Sequence, residues 1–247
     1  MSFSDASKGP VQDARFQTTR WSVVLAAGDR QESGSSQALA ELCQTYWFPV
    51  YAFVRKRVTD SNQAQDLTQE FFAQLLEKDF LARAQQERGR FRSYLLTAVS
   101  RFIAKQWNKS KTLKRGGGVA TLSLDFSWGD SRLEHEPAIQ ETPEHAFDRQ
   151  WAIQLLELVH DRLQKEYLDS GKQHQYENLK PFLVAADETE SQDAVAQRQG
   201  MTSGAFRTAV YRLRRRFRQL VLNEIAHTVS ELDEVDDEVQ RMFAALS

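Results

Sequence analysis

The stretch SQDAVAQRQGMTSGAFRTAVYRLRRRF, residues 191–217, decides how the rest of the chain is read. A short helical segment runs to Gly200, which can take the left-handed conformation that a tight turn demands. Ala196, four residues earlier, is small enough to let two helices cross closely. Thr202 or Ser203 can cap a second helix. At about 100° per residue, Phe206, Val210, Leu213 and Phe217 gather into one apolar stripe. Thr208, Tyr211, Arg212 and Arg215 project from the opposite side, with Arg207 and Arg218 on its flank. One face is built for a protein core and the other for a polyanion, which is the logic of a helix-turn-helix entering a major groove. A solvated basic face in a helical bundle is the alternative that the arginines alone would leave open.

Outward from this stretch the chain reads as all-α. Pro occurs five times and Gly eleven times in 247 residues, β-branched alternation is nearly absent, and helical periodicity recurs. Helices are expected over 21–27, 36–57, 61–77 and 91–108, then over 144–169, 176–186, 192–199 and 203–229. An acidic amphipathic helix is expected over 231–246. The tract KRGGG, residues 114–118, breaks the pattern, and the segment from there to Pro143 has no lasting period. The expected organisation is therefore two helical domains joined by a flexible linker. In that expected organisation residues 1–17 would be disordered, 18–115 and 144–229 would be the domains, 116–143 an acidic linker, and 230–247 an acidic tail.

The charge is segregated. The formal net charge is −2, yet residues 88–115 hold nine Lys or Arg and no acid, and residues 203–219 hold six Arg and no acid. Separated blocks of this kind are the footprint of a polyanionic partner. The single cysteine, Cys43, excludes an internal disulfide and a multi-cysteine metal site; among Leu39, Leu42 and Tyr46 it reads as a small core residue. No apolar run reaches the length of a membrane span, and the first residues lack the pattern of a secretory signal. A cytoplasmic protein without membrane contact is expected.

Two further faces carry chemistry. In GRFRSYLLTAVSRFIAKQWNKSKTLKR, residues 89–115, Phe91, Tyr94, Phe102 and Trp107 alternate with Arg92, Arg101, Lys105, Lys109 and Lys111. Aromatic faces can stack on unpaired bases while cations follow the phosphates. Periodicity favours a core role for part of this set, since Phe91, Tyr94, Leu95 and Ala98 form a stripe. In QAQDLTQEFFAQLLE, residues 63–77, Leu67, Phe71, Phe72 and Leu75 point one way, and Asp66, Gln69, Glu70, Ala73 and Glu77 the other. The second face is either solvated or a protein-docking surface. No enzyme is expected. RGGGV lacks the Lys-Ser/Thr of a phosphate-binding loop, and His135, His145, His160, His174 and His227 have no ligand spacing. Glu134 and Glu136 sit in the expected linker. No cofactor or metal is implied.

DLTQEFF (66–72), then FRSYLLTAVSRFIA (91–104), a linker and a terminal helix-turn-helix together resemble a bacterial sigma factor of the extracytoplasmic-function type. The segments TTRWSVVLAAGD, YWFPVYAFVRKR and EKDFLARAQQERGRFRSYLL are similar to the sigma-factor-like proteins abundant in planctomycete-type bacteria. The resemblance implies a region 2-like and a region 4-like domain. It implies that Asp66, Gln69 and Glu70 dock on the β′ clamp helices of core RNA polymerase. Arg92, Arg101, Lys105, Trp107, Asn108 and Lys109 fall where the family opens and reads the −10 element. Ser203, Arg207, Thr208, Tyr211, Arg212 and Arg215 fall where it reads the −35 element. Its partners would be core polymerase, promoter DNA and an anti-sigma or other regulatory protein, with the free chain a monomer. Arg101 and Lys105 stand where the family often has Asn and Asp, and Ala209 where it often has Arg, so the promoter sequence is not implied. A stand-alone helix-turn-helix regulator is the main alternative, although no heptad seam for a dimer is present. A protein that titrates a partner through Asp66–Glu77 and the tail is a second.

Overall fold

The computed structural model describes residues 35–76, 90–110, 124–134, 141–183, 191–229 and 232–247. Among them the chain is helical and has no strand. The helices are α1 (Ser35–Arg55), α2 (Ser61–Leu76), α3 (Phe91–Ser110), α4 (Phe126–Glu134), α5 (Pro143–Asp169), α6 (Gln173–Leu179), α7 (Gln192–Arg198), α8 (Ser203–Ala226) and α9 (Val235–Ala245). Short 3-10 turns lie at Lys180–Phe182 and Leu232–Glu234. The expected helix over 21–27 lies outside the described residues.

α1 is the centre of the first block because its second half is apolar on nearly every side. Leu42, Cys43, Tyr46, Phe48, Val50, Tyr51, Phe53 and Val54 are all buried, the mark of a helix wrapped by others. Burial alone pushes the Cys43 thiol up to about 12. α2 covers one side of α1, α4 another and α5 a third, and α3 packs on α2.

The 27-residue α5, about 40 Å long, is the spine of the molecule. Thr142 caps it by accepting from the His145 backbone N–H at 3.1 Å, and Pro143 sits in the first turn, where its missing N–H costs nothing. Phe147 and Trp151 near its start are buried with the first block, Phe147 stacking on Tyr46 with centroids 6.5 Å apart. Leu155, Val159 and Leu163 are buried further along, and the same helix packs against α6, α8 and α9. The two blocks thus share one continuous apolar core.

Two expectations differ from the structure. Within the segment read as a linker, residues 126–134 form α4, packed on α1. Phe126 meets Tyr51 edge-on at 5.1 Å and Trp128 meets Phe48 at 4.9 Å. Gly129 lets the two helices approach closely: a Cβ there would lie 3.2 Å from the Trp47 ring, tighter than ordinary contact. Asp130 closes the contact, accepting from the Tyr51 hydroxyl at 2.5 Å and from Gln65 Nε2 at 3.2 Å. The helix expected over 176–186 instead starts at Gln173 and passes into a 3-10 turn at Lys180–Phe182, where Pro181 lacks the N–H that an α-helix would use.

Candidate nucleic-acid interface

The helix-turn-helix is built as its sequence dictates. Ser191 caps α7 by accepting from the Ala194 N–H at 3.2 Å, and Thr202 caps α8 from the Ala205 N–H at 3.2 Å. Gly200 has φ +65°. The Met201 N–H donates to the Ala196 carbonyl at 2.9 Å and the Gly200 N–H to the Gln197 carbonyl at 3.0 Å, the two bonds of a Schellman ending. Ala196 is fully buried at the crossing. Phe206, Val210 and Leu213 are buried and Phe217 is half-buried.

The opposite face of α8 stands in solvent. Arg207, Thr208, Tyr211, Arg212 and Arg215 are exposed, Tyr211 by 64%, while Ser203 is half-buried in the first turn. Arg207 leans back on exposed Asp193 of α7, Nη2 to Oδ1 3.2 Å. That carboxyl lies below its usual range because Ser203 and Arg207 hydrogen-bond to it. Thr208 donates its hydroxyl to the Gly204 carbonyl at 2.9 Å. Two further arginines serve the fold: Arg216 Nε donates to Glu166 of α5 at 2.8 Å, and Arg214 Nε donates to the Phe182 carbonyl at 2.8 Å. Ala209 is half-buried beside a groove of about 640 Å³ that Glu166, Tyr167 and Arg212 also line.

α3 divides its residues differently from the aromatic pattern. Phe91 and Phe102 point into the core and Tyr94 is half-buried, so of the four aromatics only Trp107 is exposed, by 42%. Arg101, Lys105 and Asn108 lie on one solvent-facing side, at spacings of four and three. The side chain of Lys109 lies outside the described residues. Arg92 is elsewhere: it is 5% exposed, and its guanidinium lies 4.6 Å above the Trp151 ring. Burial works against its charge, but Asp148 and Glu238 more than offset this, and its pKa is raised.

On α2, Asp66 is exposed and Gln69 and Glu70 are half-buried, while Phe71, Phe72 and Leu75 are buried beneath them. Glu70 is engaged across the bundle, accepting from Gln106 of α3 and, at 3.3 Å, from Gln74. Arg90, which the residue patterns did not single out, joins Arg92 against Glu238, Nε to Oε2 3.1 Å. The only sequence signal for that contact is the acidic run at 231–238, which names no partner.

Two cationic helix faces, on α3 and α8, stand out among the all-helical described residues, as a polyanion-binding protein would present them. More narrowly, residues 42–112, spanning most of α1, all of α2 and α3, match the family model described as Sigma-70 region 2, which supports a sigma-70 family sigma factor with a role in transcription initiation. No curated protein and no solved structure matches the chain. Among the described residues, no cluster of His, Cys, Asp and Glu could hold a metal ion, and no helix is long and apolar enough to cross a membrane.

Proposed function

We propose that the chain is a sigma factor of the extracytoplasmic-function type, of the planctomycete-like subgroup, acting in the cytoplasm. In this reading Asp66, Gln69 and Glu70 dock on the β′ clamp helices of core RNA polymerase. Arg101, Lys105, Trp107, Asn108 and Lys109 hold the opened −10 element, and Ser203, Arg207, Thr208, Tyr211, Arg212 and Arg215 read the −35 element. The region 2-like domain covers 18–115 and the region 4-like domain 144–229. Arg92 belongs to the first DNA set only when its acidic partners release it.

The observation that carries the reading is the region 2 match on the same chain as a helix-turn-helix whose cations face solvent. The mechanism follows from charge. Phosphate contacts dominate affinity, and with a net charge of −2 the free monomer grips DNA weakly. Tethering to a polymerase that holds the same DNA raises the effective concentration of both faces. The test is in vitro transcription with core polymerase on a genomic library, with start sites mapped. Start sites absent from core polymerase alone are expected. Their absence would overturn the proposal, as would equal affinity of the free chain and its polymerase complex for a mapped promoter duplex.

A further inference from the structure

α9 begins with Asp236, Asp237 and Glu238 in its first turn, and Glu238 is 1% exposed. A glutamate is almost never buried so fully unless it is paired. Its partners come from the start of α3, 146 residues away: Arg92 donates to Oε1 from Nε at 3.0 Å and from Nη2 at 2.9 Å. Arg90 approaches Oε2 at 3.1 Å, and Asp148 of α5 takes the remaining edge of Arg92. Two guanidiniums at the start of the helix assigned above to DNA thus face carboxylates where a phosphate could also sit, both Arg92 donors converging on one oxygen and Arg90 ion-paired with the other.

The remainder of α9 is held lightly. Met242 and Ala245 are buried, Val239 and Leu246 are half-buried, and Phe243 is 58% exposed. An isolated helix of this length is marginal in water, so α9 owes its order to its contacts with α5, α8 and the start of α3. A buried ion-pair network adds little net stability but fixes one arrangement against others, which suits a switch better than a foundation.

We propose that α9 is an intramolecular clasp that occupies Arg90 and Arg92 in place of nucleic-acid phosphate, so that the chain engages single-stranded DNA fully only after α9 undocks. The proposal rests on the reading of α3 as a DNA-contacting helix. Glu238→Gln keeps the shape of the side chain and removes its charge. Binding to a fluorescein-labelled single strand of mixed sequence, followed by anisotropy across salt concentrations, is expected to tighten. Asp148 still holds Arg92 in this variant, so the one arginine set free steepens the salt slope by about 0.7, and the advantage over the native chain shrinks about 2.6-fold from about 50 to about 200 mM salt. Asp236→Asn, at an exposed side chain of the same first turn that faces neither arginine, is expected to bind as the native chain does.

Unchanged affinity and slope in a folded Glu238→Gln variant would overturn the clasp, and so would an equal gain from Asp236→Asn. Hydrogen exchange on the native chain keeps the test open if the variant does not fold. Protection over residues 235–245 is expected to fall when the single strand is added, and unaltered protection at saturation overturns the proposal. Transcription by the native chain with core polymerase is scored separately. Its failure refutes the sigma-factor reading, whereas the binding and exchange results decide the clasp.

Discussion

Arg212, Arg215 and Arg216 lie within five residues on α8, carry the same charge and are all exposed, yet the fold gives them different work. Arg212 and Arg215 lie on the solvent face with Tyr211, while Arg216 turns back to Glu166 of α5 at 2.8 Å. Each phosphate contact on duplex DNA contributes about 0.9 to the slope of log affinity against log salt. Arg212→Ala with Arg215→Ala is therefore expected to flatten the slope by about 1.8. The native-to-variant affinity ratio should then change about twelvefold between about 50 and about 200 mM salt. Arg216→Ala removes the same charge from the same helix and is expected to leave the slope unchanged. Anisotropy on a labelled mixed-sequence duplex measures both, with circular dichroism to establish that each variant is folded. Equal slopes for the double variant and the native chain, or an equal loss from Arg216→Ala, would refute the assignment of the cationic face.

Phe126→Ala tests whether α4 is structural. The ring is buried and meets Trp47 at 5.8 Å and Tyr51 at 5.1 Å, so urea unfolding should show a loss of about 2–4 kcal/mol; a loss below about 0.5 kcal/mol would mark the segment as an uncommitted linker. Gly200→Ala should cost about 1 kcal/mol in the same assay from its positive φ alone, because nothing lies within 4 Å of the added Cβ, and Gly200→Asn should recover part of it. Glu141 gives a pH test: burial alone would raise its carboxyl, but His145, Arg149 and Lys56 hydrogen-bond to it and hold it below the usual carboxylate range. A folded-state pKa below the unfolded one stabilises above the unfolded value and is lost as pH falls through the folded one. Glu141→Gln should thus lower the Tm at neutral pH, with the gap to the native chain closing below about pH 4; a constant gap would refute the pairing.

Local chemistry was legible and distant pairing was not. The helix-turn-helix could be read because its glycine, caps and apolar stripe act within ten residues of one another, and its exposed face is as the periodicity requires. α4 escaped notice because Ser127, Gly129 and Ser131 give it little intrinsic helicity; its order comes from Trp47, Phe48 and Tyr51, which lie some 80 residues earlier. Arg92 read as a DNA-facing cation because nothing local could neutralise it. Its acids arrive from 56 and 146 residues away, a distance over which charge pattern specifies no partner. On α3 the helical period places Phe91 and Phe102 on one face and Trp107 roughly 140–160° away, and burial follows that division.

The sharing of α5 between the two blocks constrains how the cationic faces of α3 and α8 can move apart. They are joined through a helical spine as well as by the chain between them, so their relative displacement requires one seam of that spine to open. Parting α1 from α5 would expose Phe147 and Trp151, both buried, at about 1.5–3 kcal/mol or more for each large side chain. Undocking α9 exposes Met242, Ala245 and a set of charges that phosphate or water can satisfy. The second route is the less costly one, and polyanion binding offsets it directly, because the ligand takes over the guanidiniums that Glu238 gives up. On the proposed reading, nucleic acid acts first on the C-terminal helix, and the larger α1–α5 seam yields only to a partner that supplies comparable apolar contact of its own.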